Sequence, residues 1–197
     1  ECLQHTGSFK LRGATNAVMS LDESVADVVA FSSGNHAQAV ARAASFRGMK
    51  ATIVMPEDAP NMKIEGTAAY GGHVVTYDRY TESREEIGAS IAAETGATLI
   101  APFEDPRVIA GQGTVGLEIA EQCAEIGITP DHVIVCCGGG GLIAGTSLAI
   151  TEMMPDTDVW AAEPEDFDDT IRSLASGNRE TVPPGNRSIC DSVVTQQ

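Results

Sequence analysis

Positive charge is scarce in these 197 residues. Lysine and arginine total 12 against 28 aspartates and glutamates, a formal charge of −16. Such a chain does not bind phosphate backbones or anionic membranes through bulk charge, so nucleic-acid and membrane partners are excluded as expectations. Lysine is rarest of the basic residues, with only Lys10, Lys50 and Lys63. Aromatics are few, at 5%. The five cysteines include no C-x-x-C pair, which points to reduced thiols and a cytoplasmic setting. There is no basic and apolar leader at the start, no zincin histidine pair and no G-x-S-x-G elbow, so metallo- and serine-hydrolase readings have no footing. One charge-free run, 133–150, approaches membrane-spanning length, but four glycines interrupt it. It reads as a buried strand, a loop and a buried helix.

What is present is an alternation of short apolar strands and amphipathic helices. Hydrophobic content of 43% supports a folded core rather than disorder. Strands are expected over 27–31, 51–55, 73–77, 98–101, 132–137 and 158–162. Helices are expected over 11–21, 36–47, 61–70, 82–94, 109–126 and 142–154. Their order, strand then helix, predicts an α/β fold with mostly parallel sheets.

Four segments carry chemistry. The first is Thr6-Gly7-Ser8-Phe9-Lys10, where a lysine opens a helix and meets the positive end of its dipole. That placement disfavours the ammonium and suits an amine nucleophile, although an ordinary surface lysine has the same local sequence. The second is Ser32-Ser33-Gly34-Asn35-His36, small polar residues at a strand's carboxyl end, where open α/β sheets bind ligands. A plain helix cap by Ser33 or Asn35 would account for part of it. The third is Gly138-Gly139-Gly140-Gly141-Leu142, again between strand and helix. Its backbone N–H groups form an anion cradle suited to phosphate. Gly139, Gly141 and Ala144, with Glu163 further on, also fit a weak dinucleotide fingerprint, which keeps an NAD-dependent oxidoreductase open. The fourth is the acidic run from Glu163 to Asp169, which either solvates a loop or holds a hard cation.

Together, TGSFKLRGA, SSGNHAQAVA, VIAGQGTVGLEI and CGGGGLIAG, in this order, resemble the fold-type-II pyridoxal-phosphate enzymes, nearest to threonine/serine dehydratases and serine racemase. The resemblance runs over essentially the whole chain. It implies two three-layer αβα domains with mostly parallel sheets. Residues 1–29 and 104–197 would belong to a large cofactor-binding domain truncated at both ends, and 30–103 to a small domain. It implies pyridoxal 5'-phosphate held in a Schiff base by Lys10, with Phe9, Asn35, Gly138, Gly139, Gly140, Gly141 and Leu142 as further cofactor contacts. Ser32, Ser33, Gly34, Asn35 and His36 would line the substrate carboxylate pocket. Glu163, Phe167 and Asp169 would bind Mg²⁺ or another divalent cation.

The implied reaction is α-proton abstraction by Lys10 followed by β-elimination, which converts L-threonine or L-serine to a 2-oxo acid and ammonia. Ser33 stands where a racemase carries its second acid/base, so serine racemase is the alternative. Ala101-Pro102-Phe103 looks more like the dehydratases. A small-molecule amino-acid substrate and a homodimer are the expected partners. A fragment that holds cofactor without turnover is a further alternative.

Overall fold

The computed structural model describes residues 1–183, 185–190, 192 and 193. The chain falls into two compact units, Glu1–Gly111 and Gln112–Gln197.

In the first unit a four-stranded parallel sheet has the order β3-β2-β1-β4, with β1 Asp27–Phe31, β2 Lys50–Pro56, β3 Gly72–Tyr77 and β4 Thr98–Leu99. The connecting helices are α2 Asn35–Phe46, α3 Asn61–Ala69 and α4 Arg84–Thr95, and α1 Lys10–Met19 precedes the sheet. Parallel strands need helical crossovers, which cover both faces, so their sequences are apolar without alternation. Successive side chains of β1 and β2 accordingly enter different cores. Val28, Ala30, Ile53 and Met55 join Leu11, Ala14 and Val18 of α1 and Ala37, Val40 and Ala44 of α2. Val29 and Val54 point the other way, into a smaller cluster with Tyr77 and Ala97, against which Ile87, Ile91 and Ala92 of α4 pack. The result is three layers, helix on sheet on helix.

Helix ends are secured by specific groups. The Ser83 hydroxyl accepts from the Glu86 N–H at the start of α4, and Gly96 closes that helix in the left-handed conformation, φ 73°. The Arg47 guanidinium donates to the carbonyls of Val18, Leu21 and Asp22 at 2.7, 3.0 and 2.9 Å, so the end of α2 caps the end of α1. At the close of this unit, a Cβ on Gly111 would lie 2.6 Å from the Arg12 carbonyl oxygen, so only glycine permits that approach.

The second unit holds two parallel strands, β5 His132–Cys136 and β6 Asp158–Ala162, with α6 Gly141–Met153 between them in sequence. The helix α5 Pro106–Ile126 begins in the first unit and ends in the second. Within the second, Gly113 and Gly116 let α5 pass against α6. A Cβ on Gly116 would lie 2.7 Å from the Thr146 carbonyl oxygen. A last helix, α7 Asp169–Ser176, grows out of the acidic run, where no helix is predicted from sequence. The other strands and helices fall within a few residues of their predicted positions. The strand expected over 98–101 is shorter, Thr98–Leu99; just past it the Ile100 N–H still donates to the Val29 carbonyl at 2.9 Å, while the Ile100 carbonyl is taken by the His36 ring.

Candidate active site

The first unit carries the reactive amine. Ser8 is buried, and its hydroxyl accepts from the Lys10 backbone N–H at 3.4 Å, just before α1 begins. The Lys10 side chain runs inward, and its Nζ donates to the Pro102 carbonyl at 2.7 Å. The Phe9 and Phe103 rings have their centroids 5.3 and 5.9 Å from Nζ. Two aromatic faces and one neutral carbonyl replace water poorly for an ammonium. Burial accordingly lowers the Lys10 pKa from 10.5 to about 8.

The segment Ser32 to His36 lies between β1 and α2 in the same unit. The Ser32 N–H continues the ladder to the Val54 carbonyl, and the Ser32 hydroxyl accepts from the Gly34 N–H at 3.1 Å. Neither Ser33 nor Asn35 caps α2, as one sequence reading expected. The N-cap is Gly34, which has no side chain with which to cap the helix. The first-turn N–H groups of α2 therefore lack an intrahelical acceptor and remain available to a ligand. Ser33 is exposed and Asn35 half-buried. His36 is buried, with Nε2 2.9 Å from the Ile100 carbonyl. That bond requires the proton on Nε2, which makes Nδ1 an acceptor with no partner among the described residues. Burial first, and the Lys10 charge second, lower the His36 pKa to about 3, so the ring is neutral.

The second unit carries the anion cradle. Gly140 is the N-cap of α6 in the left-handed conformation, φ 80°, which a side chain at this position would oppose. No side chain caps α6 either, so the amides that open the helix are left for an anion. A Cβ on Gly138 would lie 2.9 Å from the Val193 Cα, so this glycine is needed for close packing. Cys137 is buried beneath the loop, 3.3 Å from the Thr170 hydroxyl, and burial raises its thiol pKa.

In the acidic run, Glu163 accepts from the Thr170 and Ile171 N–H groups at 2.9 and 3.0 Å, one through each oxygen. It caps α7, a use of the carboxylate that sequence reasoning missed. These oxygens are thus turned to backbone donors rather than to a ribose, as the dinucleotide fingerprint requires. Asp169 is buried, and its pKa is raised by burial and by the neighbouring Glu163 charge. The Phe167 side chain is buried too. Among the described residues, no group of three or more histidines, cysteines or carboxylates is placed to hold a metal ion.

Two partners in the first unit were not foreseen from sequence. The carbonyls of Ile100 and Pro102 hold His36 and Lys10, and a backbone carbonyl leaves no residue-type signal. The Lys63 side chain lies against Gly34, and its rarity was the only hint.

The first unit thus holds a lysine amine made less basic by burial beside a strand-end loop of small polar residues, and the second holds a glycine cradle. The chain belongs to the pyridoxal-phosphate dependent enzymes, whose family pattern matches residues 1–197. It is 47% identical over 180 residues to the L-threo-3-hydroxyaspartate ammonia-lyase of Saccharomyces cerevisiae, covering 90% of this chain and 54% of that protein. It is 46% identical over 188 residues to a serine racemase of Oryza sativa subsp. japonica, covering 94% of this chain and 54% of that protein. The fold matches the crystal structure of the T.th. threonine deaminase with a TM-score of 0.93 and 46% identity, covering 100% of this chain and 63% of that one. The chain thus spans about half the length of the curated relatives it matches. All five cysteines are free, and no helix among the described residues is long and apolar enough to cross a membrane.

Proposed function

We propose that this chain carries the amine- and substrate-handling parts of a pyridoxal-phosphate ammonia-lyase that converts L-threonine or L-serine to a 2-oxo acid and ammonia. The observation that carries the reading is Lys10, a buried amine with a pKa of about 8 held on the Pro102 carbonyl. At pH 7 about a tenth of such amines are neutral, against roughly one in three thousand for an unperturbed lysine. The residues present fit the cofactor: an amine of lowered basicity in the first unit, an uncapped glycine cradle in the second. When bound, pyridoxal phosphate supplies an electron sink for the substrate's α-carbon. The chain's own residues do the rest. The amides of α6 take the phosphate, and Asn35 gives a hydrogen bond to the cofactor ring. The first-turn amides of α2 with Ser32 orient the substrate carboxylate. Lys10 Nζ takes the α-proton, and the Phe9 and Phe103 rings keep water from it.

The expected domain division, 1–29 with 104–197 and 30–103, belongs to this proposal. So does a divalent cation at Glu163, Asp169 and the Phe167 carbonyl. In favour of the cation, Asp169 is a buried carboxylate whose pKa is raised first by burial and then by the Glu163 charge, and a cation beside the two carboxylates would offset both.

Serine racemase is the second reading, favoured by the Ser33 hydroxyl. It is exposed and has no hydrogen-bond partner among the described residues, as a second acid/base would require.

The test mixes the chain with pyridoxal phosphate from pH 6 to 10. A visible absorption band should grow with a midpoint near pH 8 and vanish in Lys10→Ala. A folded chain with no Lys10-dependent band rejects the proposal. With the band in hand, 2-oxo acid release from L-threonine, L-serine and L-threo-3-hydroxyaspartate, against D-serine formed from L-serine, separates lyase from racemase.

A further inference from the structure

In the second unit the chain beyond α7 turns back onto the segments that leave β5 and β6. Arg172 of α7 donates to the Thr181 carbonyl at 3.1 Å, and Val182 is buried. Asn186 Nδ2 then donates to the Asp166 carbonyl at 2.8 Å, four residues past the end of β6. Two short-range bonds follow. The Cys190 N–H donates to the Ser188 hydroxyl at 3.1 Å, and the Val193 N–H donates to the Cys190 carbonyl at 3.1 Å. The Val193 backbone lies on Gly138, the first glycine past β5. A Cβ there would fall 2.9 Å from Val193 Cα and 3.2 Å from its carbonyl oxygen. β5 and β6 end in register, Cys136 opposite Ala162, so this stretch joins two neighbouring strand ends. Carboxyl ends of parallel strands are where such sheets bind ligands.

Asp166 is shaped for its part. With Thr6 it is one of two non-glycine residues of positive φ among the described residues, at 67°. The Phe167 N–H donates to the Pro164 carbonyl at 3.0 Å, so 164–167 form a turn whose third residue is left-handed. An aspartate there carries a conformational cost that glycine would not. Burial of Phe167 and the bond from Asn186 offset it. The glycine loop has the opposite difficulty. Four successive glycines lose more backbone freedom on ordering than any other residues. A loop left to fluctuate meets that cost when it takes an anion, whereas a backbone laid across its first residue orders it beforehand. Order present before binding is gained as affinity.

We propose that Asn186 is a positioning residue for the phosphate cradle. By holding Asp166 it seats the Val193 backbone on Gly138 and orders the glycine loop before the anion arrives. This rests on the cofactor reading above and adds to it a residue outside the four segments singled out in the sequence.

Binding can be read without turnover and without Lys10. Pyridoxamine 5'-phosphate carries the phosphate but no aldehyde. The ¹⁵N-labelled chain is titrated with it, and the amide resonances of Gly139, Gly140, Gly141 and Leu142 are followed. They should move in the wild type. The dissociation constant should rise about threefold to tenfold in Asn186→Ala and in the near-isosteric Asn186→Leu, because loss of one hydrogen bond has that size. Hydrogen exchange of the same amides in the free chain should quicken in both. Gly138→Ala displaces Val193 directly and should also weaken binding. Added to Asn186→Ala it should do little more, since the contact is already lost. Unchanged affinity in both Asn186 variants overturns the proposal, even where their melting temperature falls, because Asn186 would then serve the fold alone. Losses that simply multiply in the double variant overturn it too. Cradle amides that do not move in the wild type remove the inference together with the cofactor reading. Amides that move with equal affinity in wild type and Asn186 variants remove the inference and leave that reading standing.

Discussion

The strands of the two units are written in the same alphabet, yet they meet opposite surroundings. β1 and β2 read DVVAF and KATIVMP, β5 and β6 read HVIVC and DVWAA. Val29, Ala30, Ile53 and Val54 are all 0% exposed, whereas Ile134 and its register partner Trp160 are 73% and 58% exposed. An apolar run records that a strand is suited to being covered on both faces, and says nothing of what covers it. In the first unit the covering helices lie within the unit, α1 and α2 on one face and α4 on the other. In the second, the β5–β6 pair keeps one side with His132, Ile134, Cys136 and Trp160 open. The first unit should therefore hold most of the chain's stability. Ile53→Ala should cost about 2–5 kcal/mol, the range for a fully buried aliphatic side chain that leaves a cavity. Trp160 is the only tryptophan, so its fluorescence reports the second unit while far-ultraviolet circular dichroism reports both. In denaturant the two probes should give separate transitions, with Ile53→Ala moving only the later one. Coincident transitions that shift together would erase the contrast.

Acid should also strike the first unit harder. The His36 ring is neutral in the fold, with a pKa of about 3 against 6.5 when unfolded. As pH falls below 6.5 the unfolded chain takes up a proton that the folded chain refuses. Stability is therefore full above 6.5, falls between 6.5 and 3, and levels off below that. The loss is of the order of several kcal/mol. His36→Gln keeps a donor for the Ile100 carbonyl without the titration. Its melting temperature should decline less steeply over that window, and an identical slope would place the acid sensitivity elsewhere.

How much of this was legible in the sequence follows the same division. The strand-helix alternation could be read because burial on both faces leaves long Val and Ile runs, as at β2. Lys10 stood out through its neighbours as much as its type, and the glycine run through a count no tight turn needs. The partners of those groups were not legible. Pro102 and Ile100 act through backbone carbonyls, and Lys63 reaches Gly34 from the next crossover helix. The cap at α2 was misjudged because serine and asparagine commonly cap, whereas here Ser32 Oγ spends its bond on the Gly34 N–H and leaves the helix start open. The acidic run misled for a related reason. A carboxylate in a loop serves a helix end as readily as a cation, and only the position of α7 decides between them.

That choice at Glu163 sets the next test, in the second unit. Its two oxygens hold two N–H groups of α7, and an amide side chain retains only one acceptor oxygen. Glu163→Gln should cost about 1–2 kcal/mol, the scale of a lost helix cap. The loss should be seen by Trp160 fluorescence, the probe of this unit. If Glu163 also faces a cation, added Mg²⁺ should raise the melting temperature of the wild type and not of the variant. No response to Mg²⁺ in either protein would leave Glu163 a cap alone.

The smallest expected effect is the sharpest test of the opposition between the sheets. Ile134 and Ile53 are the same residue type in strands of like composition, one 73% and one 0% exposed. Ile134→Thr keeps the β-branched shape that suits a strand and removes little buried surface, so it should change stability by no more than about 0.5 kcal/mol. Its larger consequence should lie in solubility. An open sheet face with adjacent isoleucine and tryptophan is a site for self-association, and a hydroxyl in its centre weakens that without touching the core. Light scattering at rising concentration should show less aggregate for Ile134→Thr than for the wild type, at matched melting temperature. A loss on the scale of Ile53→Ala would mean that Ile134 is covered in solution, and the two sheets would then differ in what covers them rather than in whether they are covered.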